Sequence, residues 1–557
     1  MNYDISSIMV LEDQSILEIL KAINDSASKF ALVVDEAKRL VGIVTDGDIR
    51  RGLLKGRSVN DPVRVVMNPS PVVARDGLTR ETMLSLLNEK ISMVPVVGED
   101  GRVKGILSFK DKNVALDVKS RRICVVGLGY VGLTLSVVLA EIGFKVFGFD
   151  IDAHIIKLLN DGRSHFHENG LEAYLHRNLG KRLFPVNYLD GIDADVYMIA
   201  VGTPVDKETK LPDLSCVETA ATMIGRHIKS EDLVILRSTV PVGTTRRLVL
   251  PALNTASGLR AGTDYFLSFA PERTAAGIAL PELRELPQII GGYDKKSAAL
   301  TSRLFGEITS TIIDVGSLEV AEMVKIMNNT FRDVKFAYAN EMALICKELG
   351  LDMHQLVQAA NDSYDRDKIP VPSPGVGGPC LTKDGYLLQY SCKDLSAQPT
   401  IVGLSRQVNE SIPFRIAREI DRELKRLGKK SLKIFVIGFA FKGEPETSDT
   451  RDSATLALLK ELRWLGYPDS CFFGYDAVAG PGDISQFAVT PVSLAEGFEG
   501  ADAVIIMNNH KSHRVVDIFT LLMTTKKPCL FVDGWRTFDP RDIKEIEHLV
   551  YLGVGCR

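Results

Sequence analysis

Cysteine and tryptophan are scarce in this chain, which has eight cysteines and two tryptophans among 557 residues. The cysteines form no Cys-x-x-Cys pair, and such sparse use is typical of reduced cytosolic thiols rather than of a disulfide scaffold. An excess of either charge is also missing, since 67 basic and 71 acidic side chains give a net charge of −4. This balance argues against a protein that coats nucleic acid or is held to a membrane by charge. We therefore expect a cytoplasmic protein without a nucleic-acid or membrane partner.

Membrane-targeting patterns are weak as well. Residues 1–5 lack the basic-then-apolar order of a signal peptide. Residues 123–140 carry no charge over eighteen positions, close to the length of a membrane span, but they contain three spaced glycines and follow two arginines. We therefore interpret residues 123–140 as a strand, a tight turn and a buried helix rather than as a membrane span. With 25% charged and 45% apolar residues the composition is globular, and the length predicts three to four domains.

An internal repeat occupies the N-terminus, because residues 8–58 and 71–118 match at a constant offset of 63. Each copy is predicted to contain an extended segment, an amphipathic helix, two apolar strands and a further helix that begins at Asp48 in the first copy. The strands are too short to bury both faces alone, so the copies should pack as one domain. Residues 42–48 and, less fully, 105–111 resemble a tandem pair of CBS domains.

The resemblance to CBS domains implies a ligand for this repeat. In each copy a hydroxyl at a strand end precedes an aspartate by three residues, as Thr45 with Asp48 and as Ser108 with Asp111. In that family such pairs hold the ribose and phosphate of adenine nucleotides such as AMP or ATP, and a helix N-terminus offers free backbone N–H groups to phosphate. The alternative is that Thr45 and Asp48 only cap the helix. The sequence leaves both interpretations open.

A dinucleotide-binding pattern follows, with a buried strand at residues 123–126 and then the motif Gly127-Leu128-Gly129-Tyr130-Val131-Gly132. The first glycine permits a tight turn, the second lets a pyrophosphate approach the backbone, and the third lets the helix pack on the strand. A second strand ends at Asp150, 23 residues after Gly127. This carboxylate is expected to accept hydrogen bonds from the ribose hydroxyls. It favours NAD, because a 2′-phosphate would be repelled there.

Further strands are predicted at residues 195–201, 233–236 and 266–269, and one doubly wound domain is expected up to about residue 292. Polar residues follow these strands where open α/β sheets place their ligands, at Thr203, Ser238, Thr239 and Glu272. A long helix is predicted over residues 318–349. Lys325 and Asn329 stand four residues apart on it and share one face, which is either a site or a solvated surface.

A glycine-rich loop at residues 374–384 delivers a single cysteine, Cys380. Most cysteines are buried structural residues, but here the glycines leave space around the thiol, and Lys383 is expected to favour the thiolate. A reachable thiolate beside a dinucleotide site suggests covalent oxidation through an aldehyde. A two-electron hydroxyacid-type dehydrogenase is an alternative, but it would not need this cysteine.

Residues 121–557 resemble the nucleotide-sugar 6-dehydrogenases of the UDP-glucose/GDP-mannose dehydrogenase family. The motifs that carry this resemblance are residues 127–132, 202–204, 238–243 and 271–272, Lys325 with Asn329, and residues 377–384, 438–442 and 449–453. The resemblance implies oxidation of a UDP-sugar C6 alcohol to the uronic acid by two NAD, through a thiohemiacetal and a thioester on Cys380. It also implies a homodimer or higher homo-oligomer, and no metal.

The resemblance implies a role for each matching residue. Lys325 and Asn329 would stabilise the C6 oxygen, Asp384 would act with Lys325 in proton transfer, and Glu272 would be the base for hydrolysis, through water near Thr203. The NAD contacts would be Gly127, Gly129, Tyr130, Val131, Gly132, Asp150, Thr203, Ser238, Thr239 and Arg451. The UDP-sugar contacts would be Glu272, Arg273, Lys325, Asn329, Arg366, Gly377, Gly378, Lys442 and Arg536, with Arg366 reaching the substrate of a neighbouring subunit.

Two details depart from the family pattern. Arg536 stands one position later than the family's arginine, so either Arg536 or a stacking Trp535 would contact the substrate. Residues 271–274 are closer to the UDP-N-acetylhexosamine branch, whereas Lys383 is closer to the UDP-glucose branch. We favour a UDP-N-acetylhexosamine, with UDP-glucose 6-dehydrogenase as the alternative. A binding protein that senses adenine nucleotide without turnover is the remaining alternative, against which Cys380, Lys325 and Glu272 argue.

The expected fold is α/β, with two Rossmann-like doubly wound domains joined by a long-helix central domain and preceded by a tandem CBS module. We place the CBS pair at residues 1–118 and the NAD-binding domain at 119–315. The central helical and dimerisation domain would span residues 316–425 and carry the cysteine loop. The UDP-sugar-binding domain would span residues 426–557.

Overall fold

The computed structural model describes residues 8–26, 30–75, 86, 91, 93–108, 120–429 and 432–556. The chain divides into two compact units, Met1–Asp117 and Val118–Arg557. Among the described residues, no helix is both long enough and apolar enough to cross a membrane.

The first unit contains two three-stranded sheets with the same pairing. Their strands are β1 (Met9–Leu11), β2 (Phe30–Val34), β3 (Leu40–Thr45), β4 (Ala74–Arg75), β5 (Met93–Val97) and β6 (Val103–Ser108). In each sheet the first two strands are parallel and the last two antiparallel, with a register shift between Val33 and Val34 and between Val96 and Val97. These shifts lie 63 residues apart, so the predicted repeat is confirmed in the backbone.

Two helices of the first copy are α1 (Ile16–Ser26) and α2 (Asp46–Leu54). The apolar face of α1 is buried through Ile16 and Ile19, as its spacing predicts. Helix α2 begins at Asp46 rather than at the predicted Asp48, because Thr45 is its N-cap residue and the helix therefore starts directly after the strand. A 3₁₀ turn follows at Val63–Val65.

The second unit begins with an eight-stranded sheet in the order β14-β13-β12-β11-β10-β7-β8-β9. Its strands are β7 (Ile123–Val126), β8 (Val146–Phe149), β9 (Leu183–Val186), β10 (Val196–Ile199), β11 (Leu233–Leu236), β12 (Phe266–Phe269), β13 (Gln288–Gly292) and β14 (Ile312–Asp314). The predicted strands are confirmed. The sheet continues past residue 292, because β13 adds antiparallel to β12 and β14 then adds parallel to β13.

Helices cover both faces of this sheet, as the apolar strands require. They are α3 (Tyr130–Glu141), α4 (Ala153–Asn160), α5 (Leu171–Asn178), α6 (Ser215–Gly225), α7 (Leu250–Ser257), α8 (Ala279–Glu285) and α9 (Lys295–Gly306), and a π-helical turn at Thr245–Val249 precedes α7. Residues 123–140 therefore form a strand, a turn and a buried helix, as the sequence predicts.

A central helical segment follows, formed by α10 (Leu318–Leu349), α11 (Met353–Asn361), α12 (Leu381–Ser391) and α13 (Thr400–Arg426). Helix α10 has the predicted bounds, since Ser317 caps its first turn and Gly350 ends it at a φ of 71°. The second long helix, α13, was not predicted as a separate element. Ala343 of α10 and Ile416 of α13 share one buried core, and this core continues into the last domain.

The last domain is a six-stranded parallel sheet in the doubly wound order β17-β16-β15-β18-β19-β20. Its strands are β15 (Ile434–Ile437), β16 (Phe472–Tyr475), β17 (Thr490–Pro491), β18 (Ala503–Ile506), β19 (Cys529–Asp533) and β20 (Leu549–Gly553). Its helices are α14 (Ala454–Trp464), α15 (Pro481–Ser485), α16 (Leu494–Phe498), α17 (Ile518–Met523) and α18 (Pro540–Lys544), with 3₁₀ turns at Asp469–Cys471 and Lys511–Val515. A second Rossmann-like domain is therefore confirmed.

Candidate active site

The glycine motif forms a tight turn between β7 and α3. Gly127 has a φ of 95°, and a Cβ there would lie 2.8 Å from the Ala200 carbonyl oxygen. A Cβ on Gly132 would lie 1.8 Å from the Gly127 oxygen, so this position requires glycine for the helix to pack on the strand. A Cβ on Gly129 would meet nothing within 4 Å. Open space at the N-terminus of α3 is the arrangement that accepts a pyrophosphate.

Asp150 lies at the end of β8 and faces this turn. Its carboxylate accepts hydrogen bonds from the backbone N–H groups of Leu128 at 2.8 Å and of Asp152 at 3.0 Å. A carboxylate has about four acceptor sites, so two such bonds leave capacity for the hydroxyls of a ribose. The side chain is only partly buried, which keeps it within reach of a ligand.

The last domain contains a similar glycine turn, but the carboxylate that faces it has no comparable set of unused acceptor sites. Gly438 has a φ of 96° and donates to the Tyr475 carbonyl at 2.8 Å, as Gly127 does to Phe149. The matching acid, Asp476, is buried and already accepts from the Asn508 amide and from four backbone N–H groups, at residues 439, 440, 478 and 479. The first turn is therefore the one that fits a dinucleotide.

Two further predicted cofactor residues, Tyr130 and Val131, lie in the first turn of α3. The Tyr130 ring packs on Phe166 with 5.0 Å between centroids, and its hydroxyl donates to the buried carboxylate of Glu168. Glu168 also accepts from the backbone N–H groups of Gly277 at 2.7 Å and Ala279 at 2.8 Å. Tyr130 therefore connects the glycine turn to the loop that follows Glu272.

The strand ends of β10 and β11 are joined by hydroxyl hydrogen bonds. The Thr203 hydroxyl donates to the Thr239 carbonyl at 2.7 Å, and the Ser238 hydroxyl donates to the Val201 carbonyl at 2.7 Å. Thr203 and Ser238 are both buried. The predicted polar residues at these strand ends thus form one edge of the site.

A continuous hydrogen-bond chain links this edge to the cysteine loop and to α10. The Lys383 ammonium donates to the Thr203 hydroxyl at 3.0 Å and to the Asp384 carboxylate at 3.1 Å. The Asn329 amide donates to the other Asp384 oxygen at 2.6 Å. Asp384 is 1% exposed, so its charge is compensated by a cation and an amide rather than by water. The structure therefore brings together three predicted residues, Thr203, Asn329 and Asp384, with Lys383 between them.

Lys325 lies one turn before Asn329 and both side chains are buried, so the solvated-surface alternative is wrong for this face of α10. Its charge acts on Glu272, whose carboxylate is buried and pairs with Arg237. Glu272 also accepts from the backbone N–H groups of Arg273 at 2.6 Å and Thr274 at 2.8 Å. Burial alone opposes ionisation, but Arg237, the Thr274 N–H and Lys325 outweigh it and lower the pKa of Glu272.

Arg237 is a residue of this cluster that was not predicted from the sequence. Its side chain is fully buried and donates to the Ala270 carbonyl at 3.0 Å and to the Gln288 amide oxygen at 3.1 Å, as well as to Glu272. The sequence feature that could have indicated Arg237 is its position directly after the four apolar residues of β11, where a strand end places polar side chains at the ligand-binding edge.

Cys380 is the N-cap residue of α12 and is exposed. The preceding glycines pack against the last domain, since a Cβ on Gly377 would lie 2.6 Å from the Asp452 oxygen and one on Gly378 would lie 2.6 Å from the Phe441 ring. The hydrogen bonds of Lys383 run to Thr203 and Asp384 rather than to the thiol.

The pKa values of the predicted cations Lys442 and Arg451 are shifted by their surroundings, with a minor raising effect from a negative charge on Cys380. Burial, followed by the charge of Arg332, lowers the pKa of Lys442 to about 8, and its ammonium donates to the Ala276 carbonyl at 2.8 Å. Arg451 pairs with Asp449 at 2.6 Å, and this hydrogen bond raises its pKa.

The side chains of three other predicted arginines contact residues other than Cys380, Lys383, Asp384 and Asn329. Arg273 donates to the Pro287 carbonyl at 3.4 Å, and the exposed Arg366 lies 5.9 Å from the Tyr364 ring centre. Arg536 pairs with Asp352 at the start of α11. The indole N–H of its neighbour Trp535 donates to the Met507 carbonyl at 3.0 Å.

In the first unit, Thr45 and Asp48 form a reciprocal capping box at the start of α2, as the capping alternative predicts. The Thr45 hydroxyl accepts from the Asp48 N–H at 3.2 Å, while the Asp48 carboxylate accepts from the Thr45 N–H at 3.0 Å. Asp111 and the side chain of Ser108 lie outside the described residues.

Family models match the three parts of the second unit in order. The UDP-glucose/GDP-mannose dehydrogenase family matches through its NAD binding domain at residues 121–309, its central domain at 319–411 and its UDP binding domain at 435–540. The chain belongs to this family. It is therefore an NAD-dependent nucleotide-sugar dehydrogenase. The CBS domain matches residues 3–55 and 63–111 of the same chain.

Individual relatives of this dehydrogenase cover the same region. The UDP-N-acetyl-D-mannosamine dehydrogenase of Pyrococcus horikoshii is 35% identical over 400 residues, which are 71% of this chain and 91% of the relative. A solved structure of UDP-D-ManNAc dehydrogenase from that organism has a TM-score of 0.70 at 32% identity and covers 78% of this chain and 99% of its own. A UDP-glucose dehydrogenase structure from Pyrobaculum islandicum has a TM-score of 0.67 at 28% identity, covering 79% of this chain and 98% of its own.

Proposed function

We propose that this dehydrogenase oxidises the C6 alcohol of a UDP-N-acetylhexosamine to the uronic acid, with Cys380 as the covalent nucleophile. The observation that carries the proposal is the hydrogen-bonded chain of Thr203, Lys383, Asp384 and Asn329. It places a thiol-bearing helix N-terminus against the strand ends of the dinucleotide domain. Bound NAD supplies the acceptor for one hydride in each of two oxidations.

In the first oxidation the C6 alcohol loses a hydride and a proton and becomes an aldehyde. Lys325 and Asn329 would donate to the C6 oxygen, since an amide has two N–H donors and Asn329 uses one of them on Asp384. Asp384 would exchange the proton through Lys325. Each of these groups is buried, so water does not weaken its interaction with the developing charge.

The Cys380 sulfur would then add to the aldehyde carbon and form a thiohemiacetal, which loses a second hydride and becomes a thioester. Covalent attachment retains the aldehyde between the two steps. Glu272 would accept a proton from the water that hydrolyses the thioester, releasing the acid and the free thiol. Arg237 and two backbone N–H groups hold the Glu272 carboxylate in one orientation for that step.

The sugar is assigned from the relatives and from residues 271–274. The P. horikoshii relative is named for UDP-N-acetyl-D-mannosamine and has the higher identity, which supports the N-acetylhexosamine branch. The P. islandicum structure keeps UDP-glucose as the second candidate. NADH absorbance on UDP-glucose, UDP-N-acetylglucosamine, UDP-N-acetylmannosamine and GDP-mannose tests the assignment. The highest kcat/KM is expected for an N-acetylhexosamine, and preference for UDP-glucose would reverse the assignment.

A homodimer is part of the proposal, with an interface along α10. This helix carries exposed apolar side chains at spacings of three, four and seven residues, at Val320, Met323, Met327, Phe331, Tyr338, Ile345 and Leu349. Such a stripe runs along about 44 Å of the 32-residue helix. A second copy is its natural partner, because a two-fold interface buries the same stripe on both subunits. The exposed Arg366 would then reach the partner's substrate.

The CBS pair is proposed to bind an AMP- or ATP-type ligand that tunes the dehydrogenase. The two CBS matches support this proposal, and a ligand phosphate would meet the N-terminus of α2 beside the capping box of Thr45 and Asp48. Titration of the full chain with AMP and ATP tests this role.

A further inference from the structure

Four buried polar side chains connect the two long central helices, Asp333 and Asn340 on α10 with Arg406 and Asn409 on α13. None is more than 2% exposed. Arg406 donates to the Asp333 carboxylate at 2.8 Å, and Asn409 donates to the same oxygen at 2.8 Å. The Asn340 amide donates to the Asn409 amide oxygen at 3.0 Å. We refer to these four residues as the anchoring network.

The anchoring network holds the backbone of the cysteine loop on both sides of Cys380. The Arg406 guanidinium donates to the Val376 carbonyl at 3.2 Å and to the Leu381 carbonyl at 3.0 Å. The Asn340 amide oxygen accepts from the Ser373 N–H at 2.8 Å, where the loop begins. One guanidinium thus bonds to the chain four residues before the thiol and one residue after it.

The loop between these attachment points has little rigidity of its own. Gly375 and Gly378 have φ values of 133° and 91°, and glycine leaves the backbone free to occupy many other conformations. The position of the Cys380 sulfur therefore depends on contacts from outside the loop, which are the packing of its glycines against the last domain and the hydrogen bonds from Arg406 and Asn340.

Stability alone does not account for this network. Arg406 Nε and Asp333 Oδ2 are buried without a hydrogen-bond partner among the described residues, although the Glu410 carboxylate lies 3.4 Å from Nε. Well-packed apolar residues are often as stable as such a buried ion pair. An apolar pair, however, has no N–H groups to direct at two loop carbonyls.

We propose that Arg406 is a positioning residue, which sets the place of the Cys380 sulfur for attack on the C6 aldehyde. The inference rests on the proposed role of Cys380. Asp333 orients the guanidinium and lies one turn beyond Asn329 on the same helix, so the network and the oxygen-binding residues share a single rigid support.

The experiment compares the full-length wild type with Arg406→Lys, Asp333→Asn and the control Arg418→Lys. Lysine keeps the charge but loses the planar donors that reach two carbonyls. Arg418 lies on the same helix and pairs with Glu461 at 2.8 Å, away from the loop. Thermal unfolding identifies any variant that is not folded, and Asp333→Asn preserves the shape of the network if Arg406→Lys does not fold.

A misplaced catalytic group costs about 10²-fold for a shift of 1 Å, so we expect Arg406→Lys to lower kcat about 10-fold to 10²-fold with KM for NAD within twofold. The aldehyde should escape and react with an aminooxy reagent, and Asp333→Asn should show a smaller effect in the same direction. Arg418→Lys should release no aldehyde. Equal kcat and equal aldehyde release in Arg406→Lys and Arg418→Lys would overturn the proposal.

A second measurement does not depend on turnover. Peptide mapping after iodoacetamide treatment gives the alkylation rate of Cys380, which should change at least threefold in Arg406→Lys and stay unchanged in Arg418→Lys. If Cys380→Ala still forms acid, the proposed nucleophile is wrong, yet the alkylation rates still decide whether Arg406 positions the loop. Unchanged alkylation rates in a folded Arg406→Lys would contradict the anchoring role.

Discussion

The Lys383 ammonium donates a hydrogen bond to the Thr203 hydroxyl at 3.0 Å, across 180 residues of sequence. Lys383 lies three residues after Cys380 on α12, and Thr203 follows β10 at the ligand-binding edge of the dinucleotide sheet. This contact therefore aligns the thiol-bearing helix with the cofactor domain. Two of the three donors of the Lys383 ammonium serve Thr203 and Asp384, and the contact with Asp384 joins α12 to Asn329 of α10.

Loss of the base should trap the covalent intermediate. In Glu272→Gln the amide cannot accept a proton, so hydrolysis should slow by about 10² to 10⁴. A burst of two NADH per active site should precede a slow steady state, and mass spectrometry should find the acyl group on the Cys380 peptide. Arg237→Lys should show the same burst to a smaller extent. If Glu272→Gln is slow without a burst, Glu272 acts in an earlier step.

Substrate binding should weaken in alkaline solution because of Lys442. Burial lowers the pKa of its ammonium to about 8, so the charge is present below that pH and is lost above it. KM for the UDP-sugar should therefore rise as pH passes about 8. Lys442→Arg keeps its charge, because the guanidinium has a pKa above about 12, and the inflection should disappear. If the inflection of KM near pH 8 persists in Lys442→Arg, another group is responsible for it.

The dimer can be tested through subunit complementation. Cys380→Ala and Arg366→Ala should each be inactive as homodimers. Co-expression with two different tags yields a mixed dimer, in which one site has its own Cys380 and receives Arg366 from the partner. This mixed dimer should regain about half of the wild-type rate, since one of its two sites is complete. A mixed dimer without activity would show that Arg366 acts within its own subunit.

The CBS pair should affect regulation rather than chemistry. Deleting residues 1–117, which leaves the second compact unit, should preserve turnover of the UDP-sugar. AMP or ATP should change the rate of the full chain and not that of the truncated chain. If the full chain shows no response to either nucleotide, the CBS pair does not regulate the enzyme through them and serves in assembly instead.

Local patterns allowed much of the fold to be predicted from sequence. The turn at Gly127 and the helix over residues 318–349 depend on neighbouring residues, on caps and on apolar spacing. The N-terminal repeat was predictable for the same reason, because its two copies carry the same short patterns. Strand β13 could not be predicted from the sequence, because its antiparallel pairing with β12 depends on contacts that form only after the chain has turned back.

The missed residues of the site depend on distant partners. Arg237 reaches Glu272 and Gln288, which lie 35 and 51 residues away. Arg406 reaches Asp333 across 73 residues, and both carry charges that a helix normally exposes to solvent. A single sequence does not reveal that such charges are buried, because their compensation is visible only once the helices have packed.

The stoichiometry of NADH tests the central claim most directly. Progress curves of the full chain with limiting UDP-sugar should yield two NADH for each sugar consumed, with the uronic acid as product. Cys380→Ala should form no acid, whereas Cys216→Ala, which removes another exposed thiol, should behave as the wild type. A ratio of one NADH per sugar, or acid formation by Cys380→Ala, would contradict oxidation through a thioester on Cys380.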